Sequence, residues 1–153
     1  MIHAERSKVD RIIKIGKPLS GSDLELLGHW GKYACIACSG YVEYALRFSL
    51  QSHIKRKAAP EILCYMNKSL DGIQNPKAEK FVKTLYLFSN NWGAQVEIFF
   101  QNNAESKSAI DSLMANRHLI AHGRPCSVSL GQVEGYFSQV NLAIDFVESL
   151  LNP

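Results

Sequence analysis

No stretch of this chain stays apolar for the roughly 18–20 residues that a bilayer core demands, so no segment reads as membrane-spanning. The opening residues Met1-Ile2-His3-Ala4-Glu5-Arg6 lack the continuous apolar core of a secretory signal. Internal repeats, low-complexity tracts and a Pro/Gly/Ser-rich linker are also missing, which excludes a repeat array and a split into two domains. Only five prolines interrupt the sequence, leaving room for long helices. Period-2 alternation is scarce too. The run Val96-Glu97-Ile98-Phe99-Phe100 could pass for a strand, but it sits among segments of helical pattern. The cysteines are few: Cys35, Cys38, Cys64 and Cys126. With no secretory signal, they are expected as small core residues in a reducing cytoplasm.

What is present is enough for one core. At 153 residues, with 46% hydrophobic and 20% charged side chains, the chain has the size and composition of a single globular domain. Its net charge of +3 hides an asymmetry. Residues 1–83 carry 14 Lys+Arg against 8 Asp+Glu, whereas residues 84–153 carry 3 against 6. The densest basic run is His53-Ile54-Lys55-Arg56-Lys57. It suits a polyanionic partner, and equally a solvated helix end.

Breakers at Gly16-Lys17-Pro18, Ala59-Pro60, Asp71-Gly72, Asn75-Pro76 and Gly123-Arg124-Pro125 divide the chain into helical stretches. Helices are expected near 4–15, 23–57, 60–70, 76–89, 92–102, 105–122 and 130–151. Ser22 or Asp23 would cap the second, and Gly28 and Gly31 would bend or break its start. Apolar residues surround that helix almost completely from Ile36 to Leu50, marking it as central and buried. Pro60 and Pro76 fit first-turn positions, and Gly123 fits a left-handed terminator. The last helix carries one apolar stripe: Val133, Tyr136/Phe137, Val140, Ile144, Val147 and Leu151. The fold class is all-α, an antiparallel helical bundle with additional short helices.

The informative segment is Asn116-Arg117-His118-Leu119-Ile120-Ala121-His122-Gly123-Arg124. On a helical wheel with Ile110 at zero, Leu113, Met114, Ile120 and Ala121 form an apolar stripe, and Arg117 falls inside it at about 340°. His118 and His122 fall at about 80° and 120°, on its edge. A guanidinium on a buried face costs several kcal/mol, of order 3–5, unless it is paired or meets water at an interface. An internal ion pair with Glu43 of the central helix is one solution. A phosphate, met in a groove or at a subunit interface, is the other. His118 and His122 also have the spacing of two zinc ligands, with Cys126 the nearest third, and Cys35-Ile36-Ala37-Cys38 has a Cys-x-x-Cys spacing of its own. Alternatively, His122 is simply a helix C-terminal cation favoured by the dipole, with His118 an exposed polar residue.

Arg117 and His122, with four residues between them, resemble the Arg-x4-His motif of the HEPN domains. The fuller string Arg117 to Gly123, at the end of the penultimate helix, is most similar to the RiboL-PSP-HEPN branch. Cys38-Ser39-Gly40-Tyr41-Val42-Glu43 in the central helix, Asn75-Pro76 and the closing amphipathic helix agree, so the resemblance spans about residues 26–151. Two departures stand out. The position after the arginine, often Asn or Asp in the family, is His118. No tyrosine follows His122 in His122-Gly123-Arg124, so control by modification of such a tyrosine is not implied.

The resemblance implies a metal-independent endoribonuclease with no cofactor, acting on RNA as a homodimer, in a bacterial toxin, stress or phage-defence setting. An antitoxin or defence-system protein would be a further partner, and a membrane would not. His122 would be the general base or acid, Arg117 the transition-state stabiliser and His118 an auxiliary. Asn116, Arg124 and the run Lys55, Arg56 and Lys57 would bind substrate, with Glu43 as a structural partner of the site. The side chains suit this chemistry: imidazole moves protons near neutral pH, and a planar, permanent cation stabilises a phosphorane-like transition state. The alternative is a non-catalytic homodimeric module that binds nucleotide, RNA or protein without cutting.

Overall fold

The computed structural model describes residues 1–21 and 23–152. All regular structure among them is helical: α1 (Ile2–Gly16), a 3-10 turn (Lys17–Gly21), α2 (Leu24–Lys55), α3 (Pro60–Asp71), α4 (Ala78–Phe88), α5 (Asn90–Asn102), α6 (Ala104–Ala121) and α7 (Leu130–Leu151).

Local chemistry sets the ends. The Asp23 carboxylate accepts the backbone N–H groups of Glu25 and Leu26 at 3.0 Å, and so caps α2. The alternative cap, Ser22, lies outside the described residues. Pro60 occupies the first turn of α3 as expected, whereas α4 opens at Ala78, two residues beyond Pro76. Its first N–H is held by the Asp111 carboxylate of α6 at 2.9 Å, so a tertiary bond moves the boundary. At α7, Ser129 and Gln132 form a reciprocal capping box, a feature worth about 1 kcal/mol.

Helices α1, α2, α6 and α7 make the body. Tyr41 meets Asn141 and His53 meets Leu151, so α2 and α7 run parallel. The crossover through α3–α5 permits this sense. Arg6 reaches both Tyr41 and Asp145, and the Trp30 indole donates to the Ile12 carbonyl at 2.8 Å, so α1 is antiparallel to both. Ser106 contacts Gln139 and only a short link joins α6 to α7, so α6 is antiparallel as well. The hairpin α4–α5 closes the side through the Phe99–Phe146 stack at 4.6 Å and the Phe81–Phe100 edge contact.

Gly28 and Gly31 do not break α2, which is continuous. Gly31 is where the segment before α7 crosses: a Cβ there would lie 2.9 Å from the Val128 carbonyl oxygen. The central helix is also less enclosed than its composition suggests. Ala34, Cys38, Tyr41, Val42, Ala45 and Leu46 are buried, but Ile36, Glu43, Tyr44, Arg47, Phe48 and Gln51 form a half-covered face. Cys35 and Cys38 are core residues as expected; Cys64 is exposed on α3, and Cys126 is half-buried after α6. Burial, with Cys126 close by, pushes the Cys35 thiol up to about 11, and burial also raises Cys38.

Candidate functional site

Helix α6 buries Ser106, Ala109, Ile110, Leu113 and Met114 against α2 and α7. The same stripe continues into Arg117 and Ala121, but the cover ends there: Arg117 is half-buried and Ala121 is exposed. The guanidinium therefore sits at the rim of the core, which removes most of the burial penalty the wheel alone suggests. Arg117 has no hydrogen-bond or ion-pair partner among the described residues. The expected Glu43 pair is not formed. Glu43 accepts the backbone N–H of Asn75 at 3.0 Å and belongs to the α2–α3 side of the molecule. A backbone donor delivered by the turn before α4 has replaced the arginine.

The end of α6 is a Schellman turn. The Gly123 N–H donates to Ile120 at 3.1 Å and the Arg124 N–H to Leu119 at 2.9 Å. Gly123 has φ +62°, and a Cβ there would touch nothing, so backbone conformation alone asks for glycine. His122 is the C-cap, His118 stands one turn earlier, and their rings lie 4.4 Å apart at 56°. Both are exposed, as is Arg124. Two cations and two imidazoles thus crowd the negative end of a helix dipole.

The substrate-binding candidates divide. Arg124 is free to reach solvent beside His122. Asn116 is not: its amide N–H donates to the Ser112 carbonyl at 2.9 Å, and its carbonyl accepts Cys126 Sγ at 3.4 Å. It ties the segment beyond the Schellman turn back onto α6, a positioning task in place of the expected substrate contact. The basic run is also misplaced for guiding RNA to this end. Cys35 and Ser39 approach the Leu113 carbonyl, so α6 ends beside the start of α2. Lys55 is twenty residues further along, about 30 Å away. There Arg56 binds the Asn152 side chain, and His53 Nδ1 donates to the Leu151 carbonyl at 2.8 Å. Part of that run serves the C-terminus of α7.

Among the described residues, no three His, Cys, Asp or Glu side chains gather as a metal site requires. Cys126, the third ligand considered with His118 and His122, is turned to Asn116 instead. No helix of the described residues is long and apolar enough to cross a membrane.

Sequence reasoning missed two features near this end. Lys17 bridges to Glu134 at 2.6 Å, locking the start of α7 against the turn after α1. Asp111, on the same face of α6 as the histidines, anchors α4. Neither has a local signal, because both partners are distant in sequence.

The profile described as RiboL-PSP-HEPN matches residues 4–152 of this chain. No curated protein and no solved structure gives a match.

Proposed function

Because this chain belongs to the RiboL-PSP-HEPN family, we propose that it is a metal-independent endoribonuclease that works as a homodimer. The observation that carries the reading is Arg117: a half-buried guanidinium with no partner among the described residues, within about one and a half turns of two exposed imidazoles at the end of the same helix. A cation left unpaired at the rim of a core is available to an anion arriving from outside.

RNA brings its own nucleophile. The imidazole of His122 takes the proton of a ribose 2′-OH, whose oxygen attacks the adjacent phosphorus. The P–O5′ bond breaks, and the departing O5′ receives a proton from a second imidazole. The products are a 2′,3′-cyclic phosphate and a 5′-hydroxyl, and the proton count balances. Arg117 holds the extra charge on the equatorial oxygens as it develops, where a planar fork is most effective. His118 stands beside His122 and is an auxiliary in proton movement.

In-line attack places the nucleophile and leaving oxygen on opposite sides of phosphorus. Two rings 4.4 Å apart on one face serve one side. A second copy, related by a twofold axis, supplies the other side without any further sequence feature. The decisive experiment maps RNA ends after incubation with and without EDTA, beside a substrate that is 2′-deoxy at the cleavage site. Cleavage that survives the chelator, leaves cyclic phosphate ends and spares the deoxy substrate supports the reading. Cleavage restored only by added metal overturns it. Binding without cutting for any RNA tried favours the non-catalytic module, and a monomer at micromolar concentration in light scattering counts against the dimer.

A further inference from the structure

The acidic half of the chain, residues 84–153, contains three Lys or Arg residues, and all of them belong to α6 or its terminal turn: Lys107, Arg117 and Arg124. Lys107 lies on the outer face of the helix. With Ile110 at zero on the wheel, Lys107, His118, Asp111, His122, Ala115 and Ser108 span about 60° to 160°, so the histidines and Lys107 share one face. That face is not flat. Lys77, Lys107, Ser108, Ser112 and the Asp111 carboxylate, together with Ala104 and Ala115, line a shallow depression of about 510 Å³ between α6 and the turn that opens α4.

The depression is chemically suited to a phosphodiester backbone. Lys77 and Lys107 stand on its two walls, and Ser108 offers a hydroxyl from an exposed position. Small side chains at Ala104, Ser108 and Ala115 keep the path along the helix open. Acidic groups are present, but they are engaged. Asp111 holds the first N–H of α4 at 2.9 Å and lies 3.8 Å from Lys107. Glu79, which also faces Lys107, is bound to Lys83. Lys107 stands about 16 Å along the axis from His118, the reach of a few nucleotides.

We infer that single-stranded RNA bound for the Arg117–His122 centre lies along the outer face of α6, with Lys77 and Lys107 gripping phosphates a few nucleotides from the scissile bond. The inference rests on the ribonuclease reading for its ligand, and it replaces the run Lys55–Lys57 as the guide. The sequence conceals it because Lys77 and Lys107 are thirty residues apart and only the docking of α4 on α6 brings them together.

The test separates binding from cutting. Binding is measured with a uridine dodecamer carrying 2′-O-methyl groups, which cannot cyclise; cleavage is measured with the ordinary dodecamer. Lys77→Ala/Lys107→Ala should weaken binding about tenfold and flatten its salt dependence by about 0.7 per lost contact. Lys77→Arg/Lys107→Arg should restore both, and Lys55→Ala/Lys57→Ala should leave both unchanged. Wild-type binding and cleavage by the Lys77/Lys107 alanine variant overturn the track and leave the ribonuclease reading intact. Transfer of the loss to the Lys55/Lys57 variant does the same. If the wild type binds the dodecamer without cutting it and the alanine variant loses binding, the track stands and the cleavage reading falls. A wild type that neither binds nor cuts overturns both.

Discussion

The two ends of the bundle carry the same side-chain types and use them in opposite ways. At one end His53 and Arg56 meet the C-terminus of α7, donating to the Leu151 carbonyl and the Asn152 side chain, with Trp92 against the His53 ring. At the other, Arg117, His118, His122 and Arg124 surround the C-terminus of α6, whose last carbonyls are already satisfied by the backbone of Gly123 and Arg124. In the first case basic side chains finish a neighbouring helix. In the second the helix finishes itself with a glycine turn and the basic side chains are left over. Basic residues near a helix end therefore say little about function until the carbonyls have been accounted for.

The sharpest way to break that comparison is to delete basic side chains one at a time from each end. Arg117→Ala and His122→Ala should each lower RNA cleavage by at least about a hundredfold, with melting temperatures close to wild type because neither side chain holds a structural bond. Arg117→Lys should stay impaired, since it keeps the charge but loses the fork. Full activity in correctly folded Arg117→Lys removes the role assigned to that residue. His53→Ala should do the reverse: cleavage unchanged, and a loss of about 1–2 kcal/mol in urea unfolding as a buried carbonyl loses its donor.

The thiol beneath the motif end gives a second, pH-dependent contrast. Cys35 is raised to about 11 by burial and by Cys126, whereas an unfolded thiol ionises near its ordinary value of about 9. The folded state holds its proton longer. This contribution is thus fully present below about pH 9 and is lost as pH rises toward 11. Unfolding free energy should fall by roughly 2 kcal/mol across that window through this group. Cys35→Ala should flatten the decline, measured as urea midpoints at pH 8 and pH 10.5. An unchanged slope in the variant rules the thiol out as its source.

Much of this architecture is legible in the sequence because its signals are local. Asp23, Pro60 and Gly123 each announce a helix end within a few residues, and the step of the apolar stripe in α7 fixes its inner face. The Arg117–His122 spacing is local too, so both residues fall at the end of α6, Arg117 inside it and His122 as its C-cap. What the sequence conceals is who reaches whom. Glu43 was a sound partner for Arg117 by chemistry, but the turn before α4 brings the Asn75 N–H to it instead. Asn116 has the donors and acceptors of a substrate ligand, but one N–H is spent on the Ser112 carbonyl and its own carbonyl accepts from Cys126. The basic run is dense enough to suggest RNA, but the length of α2 carries it to the far end.

The smallest expected effect isolates the turn itself. Gly123→Ala adds a methyl group that meets no atom, so any change comes from holding an L-residue at φ +62°. The penalty should be about 1 kcal/mol, seen as a drop of a few degrees in melting temperature. Because the Schellman bonds run through Gly123 and Arg124, the substitution should also loosen His122 and Arg124 relative to Arg117. Cleavage should therefore fall severalfold more than the lost fraction of folded protein explains, whereas Asn at the same position, which tolerates left-handed backbone, should recover most of it. Equal activity per folded molecule in the alanine variant would mean that the turn only ends the helix. The positioning of His122 would then have to come from the second copy.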